Sequence, residues 1–99
     1  FTDWLSELKD HQAKARILVR VERLELGNLG DCKFLGAGVG ELRVDWGPGY
    51  RVYFGRDGRS VIVLISGGDK RKQDRDIRRA MELWQEYENR KKRVPPARA

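Results

Sequence analysis

Apolar residues recur every three or four positions between residues 2 and 26. This spacing is typical of amphipathic helices, and a break near Asp10 divides it into two segments. Gly27 and Asn28 end the pattern. The sequence therefore predicts two N-terminal helices, whose apolar sides carry Trp4, Leu5, Leu8, Ile17, Val21 and Leu24.

The period of the pattern changes to two in the middle of the chain. Residues 27–40 contain five glycines, and we interpret them as a loop. In residues 41–46 and 50–54 apolar and charged or polar residues alternate, as in strands that bury one face. The alternation predicts a core face formed by Leu42, Val44, Trp46, Tyr50, Val52 and Phe54.

A turn at residues 47–49 joins these two strands into a hairpin. Counting outward from a three-residue turn places Asp45 opposite Arg51 and Arg43 opposite Tyr53. Two arginines, a carboxylate and a phenol are then expected to project from the same face. Cross-strand neighbours at this spacing of about 5 Å can act on one ligand.

A third strand is predicted by the uniformly apolar residues 61–65, which follow the hairpin signal Asp57-Gly58. Continued pairing places Ile62 and Leu64 on the same face as Arg51. A helix or a partner chain is expected to cover part of that face.

Helical spacing returns from about residue 73 to residue 89, with Asp74 and Asp76 at the favourable N-terminal end. Residues 91–99 are basic and proline-containing and have too little apolar content to pack, so we predict a flexible tail. With 99 residues, the chain is predicted to form one domain, residues 1–90, followed by this tail.

Composition adds an expectation about partners. The formal net charge is +6, and charged residues make up 36% of the chain, which favours an anionic partner, with nucleic acid first. A protein that is merely basic is the alternative, and charge alone does not decide between the two. The single cysteine, Cys32, has no internal disulfide partner, and no apolar run is long enough to span a membrane. A cytoplasmic protein is expected. The single histidine, His11, lacks a second metal ligand, so neither a metal nor another cofactor is expected.

Several of these segments together resemble one protein family. They are the strands ELRVDW and YRVYF around the turn GPG, the segment GGDK before a helix that opens DRDI, the opening WLSELKD, and the segment LGNLGD. Their order and wording are similar to the HigB-like branch of the RelE/ParE superfamily of bacterial addiction-module toxins. The resemblance covers roughly residues 1–90.

This resemblance implies an α+β fold of the RelE type. Two N-terminal helices are expected to pack on a curved antiparallel sheet of three to four strands, with a C-terminal helix. Members usually begin with a short strand, so either that strand precedes Phe1 or this sheet lacks an edge strand. The resemblance also implies the toxin of a type II toxin–antitoxin system, a metal-independent endoribonuclease that cleaves mRNA at the ribosome. Its expected partner is an antitoxin with a helix-turn-helix domain.

The resemblance and the predicted faces nominate residues for this chemistry. Arg51 matches the arginine of the family's Tyr-Arg strand motif and is the first choice for stabilising the phosphorane, with Arg43 as a second phosphate clamp. Lys70 and Lys72 match the family's basic segment and complete the predicted catalytic set. The residues predicted to bind RNA are Tyr53, Arg71, Arg75 and Lys33. Each has a structural alternative, such as an ion pair between Arg51 and Asp45 or a solvated helix entrance for the lysines.

Two other functions are compatible with the sequence. The ParE branch of the same superfamily targets DNA gyrase without cutting RNA, and a simple nucleic-acid-binding module would use the same basic residues. Under the toxin hypothesis, Ile62, Leu64 and Trp84 are the apolar residues expected to contact the antitoxin, because the sequence predicts that they need a partner to cover them.

Overall fold

The computed structural model describes residues 1–58 and 61–93. The elements follow the order α1 (Thr2–Glu7), α2 (His11–Glu25), β1 (Cys32–Gly36), β2 (Val39–Val44), β3 (Tyr50–Asp57), β4 (Val61–Asp69), a single 3₁₀ turn (Lys70–Lys72) and α3 (Gln73–Arg93). The four strands form one antiparallel sheet in the order β1-β2-β3-β4. The predicted α+β architecture, with two N-terminal helices and a C-terminal helix on the sheet, is confirmed.

The first face of the sheet carries the main hydrophobic core. Ala13, Ile17, Val21 and Leu24 of α2 are buried against it, at the i, i+4, i+8 and i+11 positions of one helical stripe. Asp10 starts this helix, because its carboxylate accepts hydrogen bonds from the backbone N–H groups of the first turn. From the sheet, the core receives the side chains of Leu42, Val44, Tyr50, Val52 and Phe54.

The second face of the sheet lies under α3. Trp84 packs directly on Gly55 of β3, where a Cβ atom would overlap the indole ring. Asp76, near the start of α3, contacts Gly68 of β4 in the same way. The sheet is therefore covered on both faces, by α1 and α2 on one and by α3 on the other.

The prediction of a loop at residues 27–40 is wrong. These residues contain the edge strand β1 and the turn that joins it to β2. Gly36, Ala37 and Gly38 have φ of 104°, 53° and 84°, which makes a tight turn between β1 and β2. The strand is short, so its apolar alternation was too brief to distinguish it from a glycine-rich loop.

The observed register of the β2–β3 hairpin differs from the predicted register by two residues. Arg43 pairs with Arg51, and Glu41 pairs with Tyr53, so Asp45 lies in the connecting loop rather than opposite Arg51. Trp46 leaves the strand because its indole N–H donates to Asp10 at 3.2 Å and its ring stacks on an arginine of α2. A shift by two residues preserves the face of every side chain, which is why the predicted core face is still correct.

The third predicted strand exists, but its side chains face the other way. Asp57 pairs with Val61, and this pairing brings Ile62 and Leu64 opposite Arg56 and Phe54. Both residues therefore pack against the main core rather than on the face of Arg51. An irregularity between Tyr53 and Phe54 then returns the register to the other parity, so Ser66 lies beside Tyr53.

The last helix is longer than predicted, because α3 continues to Arg93 instead of ending near residue 89. Lys91 donates to Asp57 at 2.6 Å, and the Tyr87 hydroxyl donates to the same carboxylate at 2.9 Å. These two bonds lower the pKa of Asp57 and fasten the end of α3 to β3. Residues 91–93 of the predicted tail belong to α3, and residues 94–99 lie outside the described residues.

Candidate nucleic-acid interface

The second face of the sheet contains a buried ionic cluster. The Arg51 guanidinium lies 3.3 Å from Glu41 Oε1, and the Gln73 side-chain amide donates to Glu41 Oε2 at 3.0 Å. Glu41 is only 1% exposed, and the Arg51 side chain is 12% exposed. A carboxylate removed from water requires such partners, so Arg51 and Gln73 hold Glu41 while Glu41 fixes the position of Arg51.

Arg43 adds a second guanidinium next to the buried ionic cluster. Arg43 lies directly opposite Arg51, and its guanidinium is 3.7 Å from Asp31. Two carboxylates thus flank two arginines that would otherwise repel each other. The Nε atoms of both arginines are buried and have no hydrogen-bond partner among the described residues.

A cleft of about 320 Å³ opens above these arginines. Its lining includes Arg43, Arg51, Lys70 and the loop from Gly47 to Gly49. Lys70 reaches the cleft because its backbone N–H donates to the Gly49 carbonyl at 3.1 Å. Of the four predicted catalytic residues, the structure therefore brings three together: Arg43, Arg51 and Lys70.

A second groove, of about 450 Å³, continues from Lys70 along the start of α3. Its basic lining residues are Lys70, Arg71, Lys72, Arg75 and Arg78. Lys72 lines this groove and is not among the residues that line the first cleft, so it is separated from the arginine pair. Arg78 was not predicted, although its position three residues after Arg75 places it on the same side of a helix.

Asp69 organises the turn between β4 and α3. Its carboxylate accepts a hydrogen bond from the backbone N–H of Arg71 at 2.9 Å and forms an ion pair with the Arg71 guanidinium at 2.8 Å. These bonds to Arg71 lower the pKa of Asp69. Arg71 is therefore partly neutralised, whereas Lys70 and Lys72 on either side carry their charge into solvent.

Comparison with known proteins identifies the family. The family model described as phage-derived protein Gp49-like matches residues 3–93. The chain belongs to the Gp49-like family. A Haemophilus influenzae protein described as uncharacterized is similar to the Gp49-like chain, with 49% identity over 86 residues, or 87% of each chain. No solved structure matches the Gp49-like chain. The Gp49-like family is related to the RelE-like toxins of addiction modules, and assignment to the HigB branch stays a prediction.

One predicted RNA-binding residue of the Gp49-like chain is in the wrong place for that role. Tyr53 lies beneath α3 and is fully buried, because the register turns its ring towards the helix rather than towards solvent. Burial, followed by the nearby Glu41 carboxylate, raises the pKa of Tyr53, so the phenol stays protonated at neutral pH. Its hydroxyl makes no hydrogen bond with the described residues.

We therefore expect Tyr53→Phe to retain or raise the free energy of unfolding. The substitution removes a buried hydroxyl that has no partner, which is neutral or stabilising. Tyr87→Phe is the matched control, because the same change there removes the bond to Asp57 and is expected to lower stability. Urea unfolding measures both effects. A lower free energy of unfolding for Tyr53→Phe than for the unmodified protein would show that the hydroxyl makes a stabilising contact.

The other predicted RNA-binding residues are more accessible. Arg75 is exposed and lines the second groove. Lys33 is exposed on β1 opposite Glu41 and lines neither cavity. Glu41 was not predicted as a site residue. The alternation of the strand predicts the face on which Glu41 lies, but it does not predict that α3 buries this carboxylate. Asp76 was also missed as part of this face, where burial raises the pKa of its carboxyl.

The three residues predicted to contact an antitoxin are used inside the Gp49-like fold. The Trp84 ring packs on Gly55 and is only 4% exposed. Ile62 and Leu64 are packed against the main core. The sequence predicts no cover for these three residues, because local pattern does not place α3 over the sheet and continued pairing gives β4 the opposite parity. Trp84 is thus buried within the chain itself, whereas Ile62 and Leu64 are partly buried.

The part of the chain that the structure describes contains neither a metal-binding cluster nor a helix suited to cross a membrane. Across residues 1–58 and 61–93, no three His, Cys, Asp or Glu side chains gather in a manner that would hold a metal ion. None of the helices formed by these residues is long and apolar enough to cross a membrane.

Proposed function

We propose that this Gp49-like chain is the toxin of a type II toxin–antitoxin system and acts as an endoribonuclease on mRNA. The observation that carries the proposal is the cleft in which Arg43, Arg51 and Lys70 converge. Membership of a family related to RelE-like toxins supports the toxin role. Cleavage at the ribosome and silencing by a helix-turn-helix antitoxin are part of the same proposal.

The proposed reaction is an internal transesterification of RNA. The ribose 2′-oxygen loses its proton and attacks the adjacent phosphorus, and the bond to the 5′-oxygen breaks as that oxygen gains a proton. Negative charge accumulates on the phosphorane oxygens in the transition state. Arg51 is held in position by Glu41 and is suited to stabilise this negative charge, because a preorganised donor does not have to reorient during the reaction.

The remaining basic residues fit the substrate rather than the bond that breaks. Arg43, 43% exposed, provides a second guanidinium for the phosphate oxygens. The groove with Lys72, Arg75 and Arg78 is placed to bind flanking phosphates of a single strand. RNA binding is accordingly proposed to extend from the arginine pair along the start of α3.

The test is brief expression in a bacterium followed by transcriptome-wide mapping of new RNA 5′ ends, with and without an inhibitor of translation. New ends within coding regions are expected, and their loss when translation stops would identify the ribosome as the place of cleavage. Growth arrest with intact RNA and DNA damage would instead support a gyrase inhibitor. Harmless expression would support a simple binding module.

Lys70→Ala is expected to slow RNA cleavage by about 10- to 100-fold. This range corresponds to one charge-assisted hydrogen bond worth about 1.5–3 kcal/mol. Lys92→Ala is the matched control, since Lys92 is exposed near the opposite end of α3. Single-turnover cleavage of a defined mRNA compares the two variants. Equal rates for Lys70→Ala and the unmodified protein would exclude Lys70 from the site.

A further inference from the structure

α2 has a second apolar side that faces away from the core. Val19 is 45% exposed, Leu18 is 49% exposed and Leu26, just after the helix, is 82% exposed. Ala15 lies one turn before Val19 and is exposed as well. A solvated helix face ordinarily carries polar residues there, so this aliphatic stripe needs an explanation beyond the stability of the fold.

A groove of about 580 Å³ runs beside this stripe, between α2 and the start of the β2–β3 loop. Ala15, Val19 and Val44 supply its apolar lining, and Arg16, Arg20 and Arg23 supply its positive charge. We refer to it as the α2 groove. It is larger than the cleft above Arg43 and Arg51.

The arginines of the α2 groove are not neutralised by the fold. Within residues 1–58 and 61–93, no ion pair joins Arg16, Arg20 or Arg23 to a carboxylate. Arg16 instead stacks on Trp46, with 3.8 Å from its guanidinium carbon to the ring centroid. Arg20 donates to the Arg43 carbonyl at 3.0 Å, while its second terminal nitrogen is buried without an acceptor.

We propose that the α2 groove binds an acidic amphipathic helix of a partner protein. The aliphatic stripe would receive apolar residues spaced i, i+4 and i+7 on that helix, and flanking Asp or Glu residues would pair with the three arginines. The distance from Ala15 to Leu26 is about 16 Å along a helix, which matches three turns of a partner. Exposed aliphatic side chains favour a protein over a nucleic acid, which would use aromatic stacking.

The position of the groove gives the interaction a consequence for activity. Val44 and Asp45 line both the α2 groove and the cleft of Arg43, Arg51 and Lys70. A helix seated in the groove therefore lies beside the entrance to that cleft and obstructs an RNA strand entering it. Identifying this partner as the antitoxin rests on the proposed toxin function, whereas binding of the acidic helix does not.

The test uses the full chain and a labelled synthetic peptide of about four helical turns. The peptide carries leucines at i, i+4, i+7 and i+11 with glutamates beside them, and a scrambled peptide of identical composition is the control. Fluorescence anisotropy is measured in the absence of RNA, so failure of the proposed RNA cleavage leaves the result interpretable. Specific binding of the patterned peptide is expected.

Val19→Glu and Arg23→Glu are each expected to weaken this binding by about tenfold or more, because they place like charge in the interface. Arg90→Glu, the same charge reversal at an exposed position of α3, is expected to leave it unchanged. Circular dichroism checks that each variant retains its helices. If the scrambled peptide binds equally well, or Arg90→Glu weakens binding as much as Arg23→Glu, the proposal is wrong.

Two alternative occupants give distinct results. Sedimentation of the unmodified chain as a dimer that Val19→Glu converts to monomers would show that a second copy covers the α2 groove. Loss of single-stranded RNA binding in Val19→Glu and Arg23→Glu, with peptide binding unchanged, would assign the groove to RNA. Either result overturns the proposal.

Discussion

Arg51→Gln is expected to reduce the proposed RNA cleavage by about 10²- to 10³-fold, the effect of losing one preorganised donor to an oxyanion. The side chain stays long enough to reach the same region but no longer carries charge. Arg43 and Lys70 remain in the cleft, and they are not held by a buried carboxylate as Arg51 is. Residual cleavage is therefore expected to come from these two weaker contacts.

The same substitution is also expected to destabilise the fold. Removing the arginine leaves Glu41 buried with only the Gln73 amide as a partner. Breaking a buried ion pair by deleting one member costs about 3–5 kcal/mol, because the other charge is left uncompensated. Lost activity in this single variant therefore has two possible causes, reduced folding and reduced chemistry.

A double variant separates the two causes. Arg51→Gln combined with Glu41→Gln leaves neutral amides that can hydrogen-bond, so stability is expected to recover while cleavage stays low. Glu41→Gln alone keeps the guanidinium and is expected to retain more cleavage than either Arg51 variant. Urea unfolding and single-turnover cleavage are measured for all three proteins. A double variant that is stable and still cleaves at the original rate would remove Arg51 from the proposed mechanism.

The elements of the fold were predictable because their hydrophobic patterns are long. The stripe of α2 and the alternation in residues 41–46 and 50–54 each determine a buried face, and that face is correct even though the β2–β3 register shifted by two residues. β1 was missed because its short pattern lies between glycines. The face of Ile62 and Leu64 was reversed because parity depends on the length of one connection, which local pattern does not specify.

The site was predictable only in part, for a related reason. Strand alternation predicts the shared face of Arg43 and Arg51, while the choice of Arg51 and Lys70 rests also on the resemblance to the toxin family. The structure brings all three to one cleft. The roles of Glu41 and Tyr53 depend on α3 lying over that same face. The position of a helix relative to a sheet is decided by tertiary packing, here by Trp84 on Gly55, and no local signal in the chain encodes it.

Trp84→Ala is expected to lower the free energy of unfolding by about 3–5 kcal/mol, as for other buried tryptophans reduced to alanine. Its ring stacks on Tyr87 with centroids 4.9 Å apart and fills the space above Gly55, so truncation leaves a cavity between α3 and the sheet. The comparison is Leu26→Ala, which removes an exposed side chain and is expected to change stability by less than about 0.5 kcal/mol.

The consequence of Trp84→Ala for activity follows from what α3 holds in place. The helix places Gln73 against Glu41 and so contributes to fixing Arg51. Gln73 lies about three helical turns before Trp84. Cleavage is therefore expected to fall even under conditions where the variant is fully folded, and hydrogen exchange should show weaker protection of α3. Urea unfolding, hydrogen exchange and cleavage rates test this chain of effects. Unchanged stability with weakened binding of the proposed antitoxin would instead support the prediction from the sequence that Trp84 is a contact residue.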